Sequence, residues 1–443
     1  MKFPAGFLFG FSTSAYQIEG AVAEDGRRPS VWDVFTHTPG AIEGGHTGDS
    51  ACDHYHRYRE DVALLRGARA GAYRFSVAWP RVMPDGHGVL NSRGLDFYDR
   101  LVDALLEAGV EPWPCLYHWD LPQGLEDRGG WQSRDTAWRF SDYASAVIAR
   151  LGDRTRHLVL LNEPSIVAVF GHLLGKHAPG TRSPDACHAA MHHLNLATGL
   201  AAQAVRAARP SIEMGSALAL NWIEPATDHD EDVEAALRLD QLFHGAFIEP
   251  ATRGGYPKPV EERLKSWIGE GDLEACAGAF DFIGVNYYTR LLVTHRAGSR
   301  LFDCWIADPP LRSKRTEMDW EIHPDGLRLR LQSLRDAHPE LPLYVTENGA
   351  AFADEPTTDG FVRDTDRIAF LESHLERCLD ALGRGVDLRG FFAWSLLDNF
   401  EWAEGYGKRF GLVRVDYEGG FARRPKASYE WFAKLAETGE LAR

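Results

Sequence analysis

Residues 341–349 read LPLYVTENG. Leu343, Tyr344, Val345 and Thr346 make an apolar, β-prone run of the kind that forms a buried strand, yet the run ends on a carboxylate, Glu347, with Asn348 and Gly349 behind it. A buried acid is costly unless it is paired or hydrogen-bonded. A core strand that stops on one raises the question of what the acid meets there. Seven further β-prone runs are spread along the chain: FLFGFSTSAY (7–16), AYRFSVAWP (72–80), EPWPCLYHWD (111–120), HLVLLNEP (157–164), EMGSALALNW (213–222), FDFIGVNYY (280–288) and LRGFFAWSLLDNF (388–400). Between them lie helical patterns. DFYDRLVDALLEAG (96–109) and RIAFLESHLERCLDALGRG (367–385) repeat apolar residues at helical spacing and are expected to close on Gly109 and Gly383. Eight strands alternating with helices predict an α/β fold with a parallel sheet covered by helices. An eightfold (β/α)8 TIM barrel is its simplest closure, read here as one domain over 1–443 with the active site at the C-terminal strand ends. An open doubly wound sheet would want a glycine-rich phosphate turn after an early strand, and GFSTSAYQIEG is not one.

Reading the strand ends in this barrel gives Gln17, Arg74, His118, Trp119, Asn162, Glu163, Asn286, Tyr288, Glu347 and Trp394. One polar or aromatic ending carries no information: a lone strand-end glutamate is ordinarily solvated, and a lone tryptophan is ordinarily core. Endings of this kind at nearly every strand converge on one pocket.

Glu163 and Glu347 are far apart in the chain, so only the fold can bring them together. Two carboxyl groups facing across a pocket are what glycoside cleavage requires: one protonates the leaving oxygen, and the other meets the oxocarbenium-like centre. A separation of about 5–5.5 Å would make the enzyme retaining and about 6.5–9.5 Å inverting, and the sequence leaves both open. Arg74 and Tyr288 are expected to hold Glu347 ionised, and the charge of Glu347 to keep the proton on Glu163.

The segments LNEP, TENG, YRFSVAWPRVMP, YHWDLPQGL, NYYT and WSLLDNFEWAEGYGKRFG, with FLFGFSTSAYQIEG in front and RRPKASYEWF behind, closely resemble the retaining β-glycosidases of glycoside hydrolase family 1. The likeness runs in order over essentially the whole chain. It implies the eightfold barrel, Glu163 as acid/base and Glu347 as nucleophile, with no metal and no cofactor. It also implies that Gln17, His118, Asn162, Glu401 and Trp402 grip the nonreducing sugar over the floor of Trp394, with Trp119, Asn286, Tyr288, Phe410 and the supporting Arg74 around them. The family usually has a threonine before its NEP and an aromatic earlier on that strand. Here they are Leu161 and Leu158, both expected to pack into the core.

The implied activity is that of a β-glucosidase tolerant of β-galactosides and β-fucosides. A 6-phospho-β-glycosidase is the alternative enzyme, disfavoured because Glu401 would repel phosphate. A sugar-binding barrel without turnover is the alternative from another class, and it should have lost one glutamate. Transglycosylation through the same intermediate stays open, as does the choice among cellobiose, a longer β-glucan fragment and a plant glycoside. Loops around 172–184, 221–230 and 299–320 are expected to hold the leaving group.

The bulk composition is ordinary for a soluble globular protein. There are 48 basic and 64 acidic side chains, for a net charge of −16, which argues against a nucleic-acid partner. No run of apolar residues is long enough to span a membrane, and the N-terminus lacks a signal-peptide core. Six scattered cysteines without a CxxC pair suggest a reducing, cytoplasmic setting. His188 and His192 have zinc-compatible spacing but no HExxH, and are read as structural. No GxSxG elbow offers a serine nucleophile. Oligomeric state is not readable.

Overall fold

The structure is a computed structural model that describes residues 1–358 and 360–441. All eight expected runs form strands: β1 (Leu8–Ser12), β2 (Ala72–Ser76), β3 (Glu111–Tyr117), β4 (His157–Asn162), β5 (Glu213–Ala219), β6 (Ile283–Asn286), β7 (Leu343–Asn348) and β8 (Leu388–Trp394). They close into a parallel barrel in chain order, with β1 paired to both β2 and β8. Most strands stop several residues before the apolar run does, and that remainder turns over the rim to carry polar and aromatic groups.

A small apolar cluster takes Leu8, Ala72, Trp113, Val159, Ala217, Phe282, Tyr344 and Phe392 from around the barrel, and Trp113 lies 4.9 Å from Tyr344 and 5.0 Å from Phe392 by ring centroid. Such a cluster can only be the barrel interior, so the barrel is filled and not a channel. The larger core lies between strands and helices. Leu158 and Leu161 are both buried in it, as expected.

The two quoted helical patterns form helices Ser92–Glu107 and Thr365–Gly383. Gly109 takes the left-handed turn after the first, with φ +75°, but after the second the left-handed residue is Gly385, two residues later than the expected Gly383. Among the described residues, no helix is long and apolar enough to cross a membrane. His192 is held by Tyr256 and Asp272, each at 2.9 Å, and His188 packs beside Trp267 and Phe302.

Candidate active site

Both glutamates are aimed by irregular backbone. On β7, Tyr344 belongs to the barrel interior, and Thr346 Oγ1 donates to Asn286 Oδ1 at 2.8 Å. Strict alternation would then send Glu347 outward into the helical shell. Instead β7 slips register against β6 between Val345 and Glu347, and against β8 between Val345 and Asn348. β4 slips against β5 between Val159 and Asn162, and Glu163, the next residue, sits at φ +45°. Register slips of this kind re-aim side chains beside active sites, and a non-glycine residue in the left-handed region is held there only by its surroundings. Trp119 (φ +79°) and Trp402 (φ +47°) share that region.

The glycine after Glu347 and Asn348 has a tertiary cause. A Cβ on Gly349 would lie 1.7 Å from the carbonyl oxygen of Trp394, so β7 and β8 touch there through backbone. Gly349→Ala is expected to lose about 1–3 kcal/mol of stability in urea unfolding. Gly383→Ala, at a helical position with open space around it, should be neutral or slightly stabilising.

Glu163 and Glu347 face one cavity of about 460 Å³. His118, Trp119, Asn162, Asn286, Tyr288, Trp394, Glu401, Trp402 and Phe410 line it with them. The two remaining predicted residues stand behind the wall. The Arg74 guanidinium pairs with Glu347 and donates to Asn162 Oδ1. Gln17 is buried, its amide donating to Asn399 Oδ1 at 3.1 Å and to the Phe400 carbonyl at 2.8 Å while accepting from Ser14. It braces the segment that leads to Glu401.

The electrostatics separate the acids. Glu347 is bound by the Arg74 charge and by the Tyr288 hydroxyl, which donates to its other oxygen at 2.6 Å. Tyr288 holds its proton firmly, because burial and then the charge of Glu347 push its pKa well above the usual range. Among the described residues, Glu163 has only Asn286 Nδ2, at 2.9 Å. Burial first, then the negative charge of Glu347, raise its pKa to about 8. Glu401, whose Oε2 is buried without a partner among the described residues, is also raised to about 8, by burial and then by Glu347 and Glu163.

Asn162 fixes a proton. Its Oδ1 accepts from Arg74 and from Asn286 Nδ2 (3.1 Å), so its Nδ2 must be what meets His118 Nε2 at 2.9 Å. Burial, helped by the Arg74 charge, keeps the His118 ring neutral, so Nε2 accepts and the proton is on Nδ1. That Nδ1 is buried without a partner among the described residues, on a residue that lines the cavity. It is a donor that the described protein groups leave unused.

The loop bearing Glu401, Trp402 and Phe410 is tied from below. Lys426 Nζ, fully buried, donates to Asp398 at 2.7 Å and to the Gly411 carbonyl at 2.6 Å, and pairs with Asp354. Arg409 adds a second cation to Asp398 at 2.7 Å. Buried ions of this density persist only when each is paired. Above them Trp402 packs on Trp119 and Trp32, with centroids 4.4 and 4.5 Å away.

Ile166 and Phe170 after β4, Ala219 at the end of β5, Leu239 and Phe243 after it, Thr289 and Leu291 after β6, and Ala403 and Glu404 after β8 also line the cavity and lie outside the three loops expected to hold the leaving group. Leu174, Asn221, Leu301, Ile306, Met318 and Trp320 fall inside them. Leu239 and Phe243 sit in helical segments. An apolar residue facing a cavity from a helix leaves the same sequence signal as one facing the core.

Known proteins resemble this chain along nearly their whole length. A "Beta-glucosidase" from an Agrobacterium species is 43% identical over 439 residues, covering 98% of this chain and 95% of that one. A "Bifunctional beta-D-glucosidase/beta-D-fucosidase" from Bifidobacterium breve is 44% identical and covers 98% of both chains. The solved family 1 β-glucosidase of Thermotoga maritima superposes with a TM-score of 0.96 at 40% identity, over 100% of each chain. The model of glycosyl hydrolase family 1 matches residues 1–441, and with the closed barrel and its two facing glutamates this places the chain in that family.

Proposed function

We propose that the protein is a retaining, exo-acting β-glycosidase that removes terminal nonreducing β-D-glucosyl residues, with tolerance for β-galactosyl and β-fucosyl groups, and that it works as one catalytic barrel over the whole chain. The observation that carries this is the unequal pair in one cavity: Glu347 charge-paired and hydrogen-bonded, Glu163 buried and raised to about 8. In the first step Glu347 attacks the anomeric carbon while the bond to the leaving oxygen breaks and Glu163 gives that oxygen its proton. The covalent glycosyl ester removes the charge that had held the proton on Glu163. Glu163 then takes a proton from water as water attacks the anomeric carbon, and the sugar leaves with its configuration retained.

His118 Nδ1–H and the carboxyl of Glu401 are assigned to the sugar hydroxyls, and the indole of Trp394 to the C–H face of the ring. The barrel beneath is filled by Trp113, Phe282, Tyr344 and Phe392, so a glycan enters from the rim alone. All six cysteines are free and buried, which supports a reducing, cytoplasmic setting. The relative named for both β-glucosidase and β-fucosidase supports tolerance at the sugar's outer positions.

The test is hydrolysis of p-nitrophenyl β-D-glucoside beside its 6-phosphorylated analogue. The plain glucoside is expected to react at least about a hundredfold faster, because a phosphate in this cavity adds negative charge beside the carboxylate of Glu347 and the already disfavoured carboxyls of Glu163 and Glu401. The reverse preference would replace this reading with that of a phosphoglycosidase. Tight binding of a glucose-like inhibitor with no turnover of any glycoside would replace it with that of a sugar-binding barrel.

A further inference from the structure

Four side chains connect the two glutamates, and their hydrogen bonds can run in one direction only. The Arg74 guanidinium, paired with Glu347, has donors and no acceptor, so the Asn162 atom that meets it is the carbonyl Oδ1. The Asn286 atom 3.1 Å from that oxygen must then be Nδ2. One Nδ2 hydrogen goes to Asn162 and the other to Glu163 Oε1, at 2.9 Å. Asn286 Oδ1 is left facing Thr346 Oγ1 at 2.8 Å, and with both amide hydrogens committed the hydroxyl has to donate. Thr346 is the residue immediately before Glu347.

The fold fixes Thr346 in place. Its side chain is fully buried and does not line the cavity. A Cβ on Gly284 of β6 would lie 2.8 Å from both Oγ1 and Cγ2 of Thr346, so the space this side chain fills exists because β6 carries a glycine there. Ser12 of β1 donates to the Thr346 carbonyl at 2.6 Å and fastens the backbone. Among the described residues, no other group donates to Asn286 Oδ1.

The consequence falls on Glu163. A carboxyl that accepts an N–H at Oε1 keeps its own proton on Oε2, the oxygen left to protonate a leaving group. The same donation favours the ionised form: burial and then the Glu347 charge raise the Glu163 pKa, and Asn286 opposes them ahead of Arg74. Without the hydroxyl, Asn286 Oδ1 becomes a buried acceptor with no partner, a cost large enough to turn the amide and loosen its hold on Glu163.

The inference rests on the β-glucosidase reading above, in which Glu163 is first acid and then base. We infer that Thr346 is a positioning residue for the acid/base: its hydroxyl orients the Asn286 amide, and through that amide Glu163, in both steps of the reaction.

Thr346→Val removes the hydroxyl at nearly constant volume, and two substrates separate positioning from packing. Hexanol leaves only with a proton, so kcat/KM for hexyl β-D-glucoside is expected to fall about ten- to a hundredfold. Dinitrophenolate needs no proton, so kcat/KM for 2,4-dinitrophenyl β-D-glucoside should stay within about twofold of wild type. Its kcat should fall about tenfold with KM falling alongside, because the glycosyl-enzyme waits on a misplaced base, and azide should restore it. On hexyl glucoside the alkaline decline should move to higher pH. The ionisable neighbours Glu347, Glu401, Tyr288 and Arg74 are untouched, and what is lost is a donor to the ionised form of Glu163. Thr346→Ser keeps the hydroxyl and should hold every value within about threefold of wild type. If the valine variant does not fold, the same comparison is made with Thr346→Ala, which removes the hydroxyl without adding bulk.

An equal loss of kcat/KM on both glucosides, no loss on either, or a serine variant as impaired as the valine one assigns Thr346 to packing and overturns the inference while leaving the β-glucosidase reading intact. Silence of the wild type on both glucosides overturns that parent reading and this inference with it.

Discussion

Glu347→Ala is expected to lower kcat for an aryl β-glucoside by at least about four orders of magnitude, the scale seen when a nucleophile is removed from a covalent mechanism. Added azide should restore turnover, with an α-glucosyl azide as product. The geometry explains both halves. The carboxylate sits where Arg74 and Tyr288 converge, so its loss removes the attacking atom and leaves a buried guanidinium without its counter-charge. A buried ion stripped of its partner costs about 3–5 kcal/mol, so the variant should also melt earlier. Azide is a small anion that can fill the vacated space. It would meet Arg74 and attack from the face that Glu347 used, opposite the leaving group, so its product has the inverted configuration. Rescue therefore shows in one measurement that the variant is folded and that the lost group was the nucleophile. A folded variant that hydrolyses at the wild-type rate would remove Glu347 from the mechanism.

The second large effect concerns the proton on Glu163. Step one needs the acid form, so wild-type kcat/KM should be sustained at neutral pH and fall as pH rises through about 8. Glu401 is raised to the same region, so the observed midpoint belongs to the group of interacting carboxyls and not to one residue. Substitution makes the assignment specific. Glu163→Ala should lose about 10²–10⁴-fold on alkyl glucosides, whose oxygen cannot leave without a proton. It should form the glycosyl-enzyme at close to the normal rate from dinitrophenyl glucoside, whose leaving group needs none. The alkaline decline should vanish for that substrate. Azide should again accelerate turnover, now by attacking the covalent intermediate, and give a β-glucosyl azide. The opposite stereochemistry of the two azide products separates the two glutamates without any distance measurement. An equal loss for good and poor leaving groups would show that Glu163 is not the acid.

Glu163 and Glu347 could be singled out from the chain because each ends an apolar run on a residue type that a core avoids. Trp394 and His118 were legible for the same reason. Gln17 and Arg74 were legible as polar residues, but nothing local distinguishes a residue that lines the cavity from one that braces it from behind. That difference came from their partners: Asn399 and Phe400 for Gln17, Glu347 and Asn162 for Arg74. Lys426 lay in a recognisable segment, yet its burial among Asp354 and Asp398 has no signal in the surrounding residues.

What the sequence determined by itself is local. The order of eight strands and their helices follows from periodicities of two and 3.6 residues, and the chemistry at the strand ends follows from residue type. What only the tertiary structure decided is non-local. Simple alternation would turn Glu347 outward, and the register slip that turns it inward is a property of its pairing with β6 and β8. The proton on Glu163 depends on burial and on a carboxylate from a strand elsewhere in the barrel. The cavity exists because the strand ends stand in one ring once the barrel closes. Side-chain charge state and cavity shape are set by neighbours in space, and the chain specifies those neighbours only by folding.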